Sequence, residues 1–342
     1  MRAVVLVGGE GTRLRPLTET IPKPLVPFMN RPFLDHVLDH LAGHGIDEVV
    51  CSSPYLEEEF HVFLETRRGS APSVRWVTEA EPLGTAGAIA GARALLEGTF
   101  LALNGDILTD IDLGALVDLH RARGAVATIA LHRVHDARPF GLVETESHGR
   151  VVAFREKPEE AVPGDINAGI YVLEPEALGA VPAGRLVSIE RETYPDLISR
   201  GRPVYASVSS GYWRDLGTPE AYLQGHVDAL DGLIAAYRDV PRPYLADGAR
   251  VAADAAVGAH AVLAEESRVA SGARVDRSVL HRGASVGEGA RVESSILGPG
   301  ATVGADAEVR DAVLAEGARV AEGARVEGAG VGPGEVVTTT AP

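Results

Sequence analysis

The chain reads as an α/β protein, a Rossmann-like domain with a mixed, mostly parallel sheet, followed by a left-handed parallel β-helix. Three observations predict this. From residue 1 to about 230, short apolar runs alternate with segments of helical periodicity, the pattern of a sheet wound with helices. Around Pro241-Arg-Pro243 that texture stops. Beyond it aliphatic residues recur every sixth position, at Val251, Val257, Leu263, Val269 and Val275, a spacing that closes three short strands into a triangular coil. The expected division is 1–230, a linker at 231–244, the β-helix at 245–334 and a tail at 335–342.

Each element follows from its residues. Ala3 to Val7 is apolar at every position, as a parallel strand covered on both faces requires. Pro32 to Gly43 sets Phe33, Val37, Leu38 and Leu41 on one helical face. Further strands are expected at Ile46 to Ser52, Val74 to Thr78, Phe100 to Asn104, Ala125 to Leu131 and Asn167 to Leu173. Helices are expected at Gly84 to Leu96, Leu113 to Arg123 and Pro219 to Leu230, the last with Thr218 as its cap. Gly141 to Thr145 and Val151 to Phe154, bridged by His148-Gly149, read as a hairpin. In the C-terminal part the valine spacing stretches to eleven at Val275/Val286, Val292/Val303 and Val309/Val320, which reads as corners that shorten one side of the coil. A disordered Ala/Gly/Val-rich tail would not hold this register. His260 and His281 are expected as solvated corner residues.

Bulk properties narrow the function. The 342 residues carry a net charge of −16, which argues against nucleic acid or an anionic membrane as partner. The single cysteine, Cys51, falls in an apolar run and excludes a disulfide framework. No apolar span approaches about 18 residues, and no leader precedes the first strand, so a cytoplasmic protein is expected.

Chemistry concentrates after the first strand. Leu6 leads into Gly8, Gly9, Gly11 and Thr12, a turn whose backbone N–H groups come close to a ligand. Arg13, suited to bidentate phosphate contacts, and Lys23, a point charge, lie beside it. Together they describe a polyphosphate cradle. The spacing is neither G-x-x-x-x-G-K-[ST] nor G-x-G-x-x-G. Glu79-Ala-Glu-Pro82-Leu-Gly84-Thr85-Ala-Gly87 opens a helix whose N-terminus offers N–H donors. Asp106 leaves the end of a strand after Gly105; alone, Asn-Gly-Asp fits a turn as well as a cation ligand. Asp215 is a second carboxylate at a strand–helix junction. Glu156-Lys157-Pro158 and Asn167-Ala-Gly169 offer an acceptor, a cation and an amide that both donates and accepts, although Glu-Lys-Pro alone fits plain surface better.

The run Gly8-Gly9-x-Gly11-Thr12-Arg13-Leu14-x-Pro16-Leu17-Thr18…Pro22-Lys23-Pro24 resembles the signature of the sugar-1-phosphate nucleotidyltransferases, and the Pro82–Gly87 loop looks closest to the mannose-1-phosphate guanylyltransferases with a β-helix tail. The resemblance implies transfer of a nucleotidyl group from an NTP, GTP favoured, to a sugar 1-phosphate, mannose 1-phosphate favoured, with pyrophosphate released. It implies Arg13, Lys23 and Lys157 as the catalytic cations. Leu6, Gly8, Gly9, Gly11, Thr12, Pro82, Gly84 and Thr85 would bind nucleotide, and Gly141, Glu156, Lys157, Asn167 and Gly169 the sugar phosphate. Asp106 and Asp215 would hold Mg²⁺. The alternatives are a glucose-1-phosphate thymidylyl- or uridylyltransferase, a sugar-nucleotide sensor without catalysis, and a bifunctional uridylyl/acetyltransferase. The low-charge faces of the β-helix suggest a homo-oligomer. Glu10, an acid inside the cradle, is expected to point away from it.

Overall fold

The computed structural model describes residues 1–54, 58–156 and 159–338. Two compact units account for the chain: Met1–Gly9 with Leu34–Trp213, and Glu10–Phe33 with Arg214–Pro342. The chain passes from one to the other inside the glycine-rich turn.

The first unit carries a nine-stranded sheet built from β1 (Arg2–Leu6), β2 (Glu48–Ser53), β3 (Ser73–Thr78), β4 (Phe100–Asn104), β5 (Ala127–Val134), β6 (Gly141–Thr145), β7 (Val151–Glu156), β8 (Gly164–Leu173) and β9 (Val204–Val208). The spatial order β3-β2-β1-β4 is all parallel, and β8 then runs antiparallel to β4. Ala3, Val4 and Val5 of β1 are fully buried, as a strand covered on both faces must be. Helices α1 (Phe33–Gly43), α2 (Glu58–Thr66), α3 (Gly84–Ala92), α4 (Leu113–Arg123) and α5 (Tyr194–Ser199) accompany the sheet. The expected helix from Gly84 to Leu96 tightens into a 3₁₀ turn at Arg93–Leu95. Residues 58–66 and 194–199 carry two helices beyond those expected from the sequence, the first burying Phe60 and Phe63 on one face and the second following a π-helical turn at Ile189–Thr193.

Strand order reverses between β1 and β4, and at such a switch point the loops leaving both carboxyl ends open a crevice for ligands. Here those loops are Val7–Gly9 and Gly105–Asp106, tied by the Gly105 N–H donating to Leu6 O at 2.9 Å. Cys51 lies fully buried in β2, and that burial pushes its thiol up to about 12, so it stays protonated and inert.

The second unit is the β-helix with helix α6 (Pro219–Leu230) and the segment Glu10–Phe33. Thr218 caps α6, its hydroxyl accepting from Ala221 N at 3.2 Å. Three parallel sheets of six, six and five two- or three-residue strands form the left-handed coil. The pairings Arg250↔Arg268 and Arg268↔Ser285 show an 18-residue coil giving way to a 17-residue one. The missing residue is taken from one corner, where Arg277, Ser294 and Asp311 adopt left-handed conformations at φ 45°, 48° and 47°. Serines brace this corner: Ser295 N donates to Ser278 Oγ at 3.1 Å, and Ala312 N to Ser295 Oγ at 3.2 Å. The stretched valine spacing is thus a shortened corner, as expected.

One face differs from the other two. In the sheet that holds Val262–Leu263, Val279–Leu280, Ile296–Leu297 and Val313–Leu314, both residues of each strand are buried. Leucines fill the interior while the alternate row faces outward under cover. Pro16 lies against Gly330 on that row, and Tyr222 of α6 reaches His281 beside it. His281 is 1% exposed, so the expected solvated corner histidine is a buried one. His260 remains a third exposed, 3.0 Å from Asp231.

Candidate active site

The expected nucleotide-binding and catalytic residues fall in both units. In the first, Leu6 ends β1, and Gly8 and Gly9 follow in the loop. Gly8 passes so near Pro54 that a Cβ would lie 2.5 Å from the proline ring. Asp106 sits in the turn after β4 and is half-buried.

Pro82 is exposed and leads into α3, which Gly84 and Thr85 open. Gly84 has φ 68°, and a Cβ there would meet Val187 O at 2.8 Å; at Gly87 it would meet Arg185 O at 2.5 Å. Only glycine lets this helix start so close to the backbone of Arg185 and Val187. That contact alters the expectation of a donor-rich helix end, because Ala86 N and Gly87 N both donate to Val187 O, at 3.0 and 3.3 Å. Glu79, 7% exposed, fixes the loop from behind by accepting from Ser52 Oγ at 2.9 Å and Leu83 N at 3.0 Å.

On β8, Asn167-Ala-Gly169 is a bulge: pairing with β5 jumps from Asn167↔Leu131 to Tyr171↔Ile129, leaving extra residues on β8. Gly169, at φ 71°, makes the kink, and Gly169 N donates to Asn167 Oδ1 at 3.0 Å. Trp213 Nε1 donates to the bulged Ala168 O at 2.9 Å. Gly141 begins β6, buried. Lys157 and the Glu156 side chain lie outside the described residues.

A polar chain joins the two halves of this unit's expected site. Asn167 Nδ2 donates to Tyr171 Oη at 2.8 Å, and Tyr171 Oη donates to Glu190 Oε1 at 3.1 Å. The other oxygen of Glu190 accepts from Thr85 Oγ1 at 3.0 Å and Ser188 Oγ at 2.8 Å, while Ile189 N donates to Thr85 Oγ1 at 2.7 Å. Tyr171 is fully buried and Glu190 half-buried on the π-helical turn. Beside them, burial together with Tyr171 and Glu190 raises the Tyr194 hydroxyl well above its usual range, so it stays neutral. Sequence reading singles out neither Glu190 nor Tyr171. The available signal is Ser188-Ile-Glu190-Arg-Glu192, an acidic run placed on an irregular turn.

In the second unit, Gly11 enters a 3₁₀ turn, Thr12–Leu14, at φ 64°. Thr18 Oγ1 donates to Gly11 O at 2.8 Å and closes the loop. Lys23 opens a second such turn, Lys23–Leu25, and its Cβ packs against Gly11. Arg13 Nη2 lies 3.4 Å from Asp215 Oδ2; the arginine side chain is 62% exposed and the aspartate 20%. Gly217 makes room for the pair, since a Cβ there would fall 2.5 Å from Arg13 Nη2 and 2.8 Å from Asp215 Oδ1. Glu10 is exposed. Thus Arg13, Lys23 and Asp215 share one unit and Asp106, Thr85 and Asn167 the other.

Among the described residues no three His, Cys, Asp or Glu side chains cluster as a complete metal cage. Asp106 and Asp215 offer hard carboxylate oxygens, the donors Mg²⁺ takes alongside water and phosphate oxygens, so the residue types fit that ion. Among the described residues no helix is long and apolar enough to cross a membrane.

A crevice at the switch point of an open, mostly parallel sheet, with a glycine loop leaving β1, is where proteins of this fold class bind their ligands. The family model of the nucleotidyl transferases matches residues 2–232, and the model described as the GMPPB C-terminal domain matches residues 240–341. The chain therefore belongs to the nucleotidyl transferase family and is an enzyme of that class. It is 41% identical over 292 residues to a mannose-1-phosphate guanylyltransferase of Mycobacterium tuberculosis, covering 82% of this chain and 80% of the relative. It is also 41% identical over 239 residues to mannose-1-phosphate guanylyltransferase 1 of Arabidopsis thaliana, covering 68% and 66%. Among solved structures, HddC from Yersinia pseudotuberculosis complexed with GMP-PN superimposes with a TM-score of 0.57 at 28% identity, over 65% of this chain and 96% of HddC.

Proposed function

We propose that the enzyme joins GTP and mannose 1-phosphate to give GDP-mannose and pyrophosphate. What supports this reading most is the 41% identity, across 82% of the chain, with a protein named mannose-1-phosphate guanylyltransferase. On this reading 1–230 carries catalysis and 245–334 is its β-helical support and an oligomer contact.

An oxygen of the sugar phosphate attacks the α-phosphorus of GTP in line. The new P–O bond forms as the bond to the β-phosphate oxygen breaks, and pyrophosphate leaves with that electron pair. No covalent enzyme intermediate is needed, so the protein contributes position and charge. Arg13 stabilises the departing pyrophosphate. Asp215 and the side-chain-free Gly217 orient its guanidinium. Lys23 meets the nucleotide phosphates, and Lys157 the attacking phosphate. Leu6, Gly8, Gly9, Gly11 and Thr12 line the phosphates, and Pro82, Gly84 and Thr85 the base. Gly141, Glu156, Asn167 and Gly169 receive the sugar phosphate. Asp106 and Asp215 are the carboxylates that would bind Mg²⁺, and the ion would supply charge neutralisation at the phosphates.

The test is pyrophosphate release with GTP, dTTP, UTP, ATP and CTP, each against mannose and glucose 1-phosphates. The highest kcat/KM is expected for GTP with mannose 1-phosphate. A preference for dTTP or UTP with glucose 1-phosphate would replace this substrate pair with the thymidylyl- or uridylyltransferase alternative.

A further inference from the structure

His281 is a buried imidazole in a β-helix, where an aliphatic residue would fill the space without leaving a polar atom unmet. Its Nε2 lies 2.9 Å from Tyr222 Oη, and Tyr222 Oη is in turn hydrogen-bonded to Pro27 O. A carbonyl oxygen can only accept, so the one hydroxyl proton of Tyr222 goes to Pro27. Tyr222 Oη must then accept from His281, which fixes the imidazole as the Nε2–H tautomer. Its Nδ1 has no hydrogen-bond partner among the described residues. A buried acceptor without a partner is costly, which argues that the donor on the other side of the ring has a task.

The task is visible one residue at a time. Pro27–Phe28 and Arg31–Pro32 form a hairpin whose two turn residues, Met29 and Asn30, both have positive φ, 46° and 65°. Such a conformation is rare for methionine and must be held from outside. One turn beyond Tyr222 on α6, His226 Nε2 accepts from Met29 N at 3.2 Å while its Nδ1 is 3.0 Å from Tyr222 O. Phe28 packs on the His226 ring at 4.3 Å. The i and i+4 residues of α6 therefore grip both sides of Phe28. Only Pro24, Leu25 and Val26, all buried, separate this grip from Lys23. Leu25 N donates to Pro22 O at 2.7 Å and Val26 N to Lys23 O at 3.2 Å, so the connection has no slack.

We propose that Tyr222, backed by His281 of the β-helix, is a positioning residue for Lys23: the β-helix sets where the phosphate-binding lysine stands. The inference rests on the reading that Lys23 meets the nucleotide phosphates.

The experiment is a double-mutant cycle on the full chain, with GTP and mannose 1-phosphate as substrates. Tyr222→Phe and His281→Leu should each lower kcat/KM for GTP about five- to twentyfold, the scale of one lost positioning hydrogen bond, and leave KM for mannose 1-phosphate unchanged. His281→Gln, whose amide still donates, should recover most of the loss and serves if His281→Leu fails to fold. In a Lys23→Ala background, Tyr222→Phe should cost nothing further. Wild-type kinetics for Tyr222→Phe beside an impaired Lys23→Ala would overturn the relay alone, as would losses that multiply in the double variant. Wild-type kinetics for Lys23→Ala would remove both the relay and the role assigned to Lys23.

Discussion

Arg13, the cation proposed to meet the departing pyrophosphate, is held in place by little. Its guanidinium is mostly solvent-exposed, set by one carboxylate at 3.4 Å and by the absence of a side chain at Gly217. Gly217→Ala puts a methyl group where the guanidinium and Asp215 now meet. We expect at least a tenfold fall in kcat with little change in melting temperature, a split read from steady-state kinetics beside a thermal melt. Arg13→Ala should lower turnover by about a hundredfold or more while circular dichroism stays native. Histidine burial makes a separate prediction about pH. Burial holds His281 near 4, below its usual 6.5, so the folded protein binds a proton there less readily than the unfolded chain. Its contribution is complete above pH 6.5 and is lost as pH falls toward 4, about 2 kcal/mol between pH 7 and pH 5. Urea denaturation at the two pH values should show that loss, and His281→Gln should reduce it. Arg13, Lys23 and Asp215 stand out as candidates because charged residues near glycine turns carry their chemistry in their type, and the structure places all three in one unit. His281 does not stand out, since its partner Tyr222 lies 59 residues away and nothing local separates a relay from a corner.

Elements explain what motifs leave out. The Asn167-Ala-Gly169 motif was legible, but the bulge that gives it shape depends on a register against β5 that no local pattern encodes. Helix α3 was legible from its alanines, whereas the capture of its first-turn N–H groups by Val187 required tertiary structure. The π-helical turn supplies Glu190, which ties Thr85 through Tyr171 to Asn167. Glu190→Gln keeps the size but gives this fully engaged carboxylate an amide donor facing other donors. We therefore expect KM to rise severalfold for both GTP and mannose 1-phosphate; an effect on neither would assign the network to folding alone. In the β-helix, the shortened corner was legible from the spacing of eleven, and the structure adds its serine brace. Ser295→Ala leaves Ala312 N without its 3.2 Å acceptor. A loss of about 1–3 kcal/mol in denaturant stability is expected, with kcat unaffected.

Over the whole chain, the alternation of strands and helices and the six-residue period placed both folds correctly, because each has a period that sequence carries directly. Periodicity says nothing about which unit a short irregular segment packs into: Glu10–Phe33, which bears Arg13 and Lys23, groups with α6 and the β-helix although strands of the sheet flank it in sequence. The outward row of Val262, Val279, Ile296 and Val313 is covered within the chain, which gives the β-helix a role inside one protomer. Valines in a β-helix read alike whether their outer neighbours face water or protein, so the pattern could not distinguish that face. The central claim is transfer of a guanylyl group, and its most direct measurement follows the phosphorus atom itself. With GTP labelled at the α-phosphate and mannose 1-phosphate in excess, we predict that the label appears in a nucleotide sugar in equal amount to the pyrophosphate released. Label remaining in GTP, or released as GMP without sugar, would contradict it.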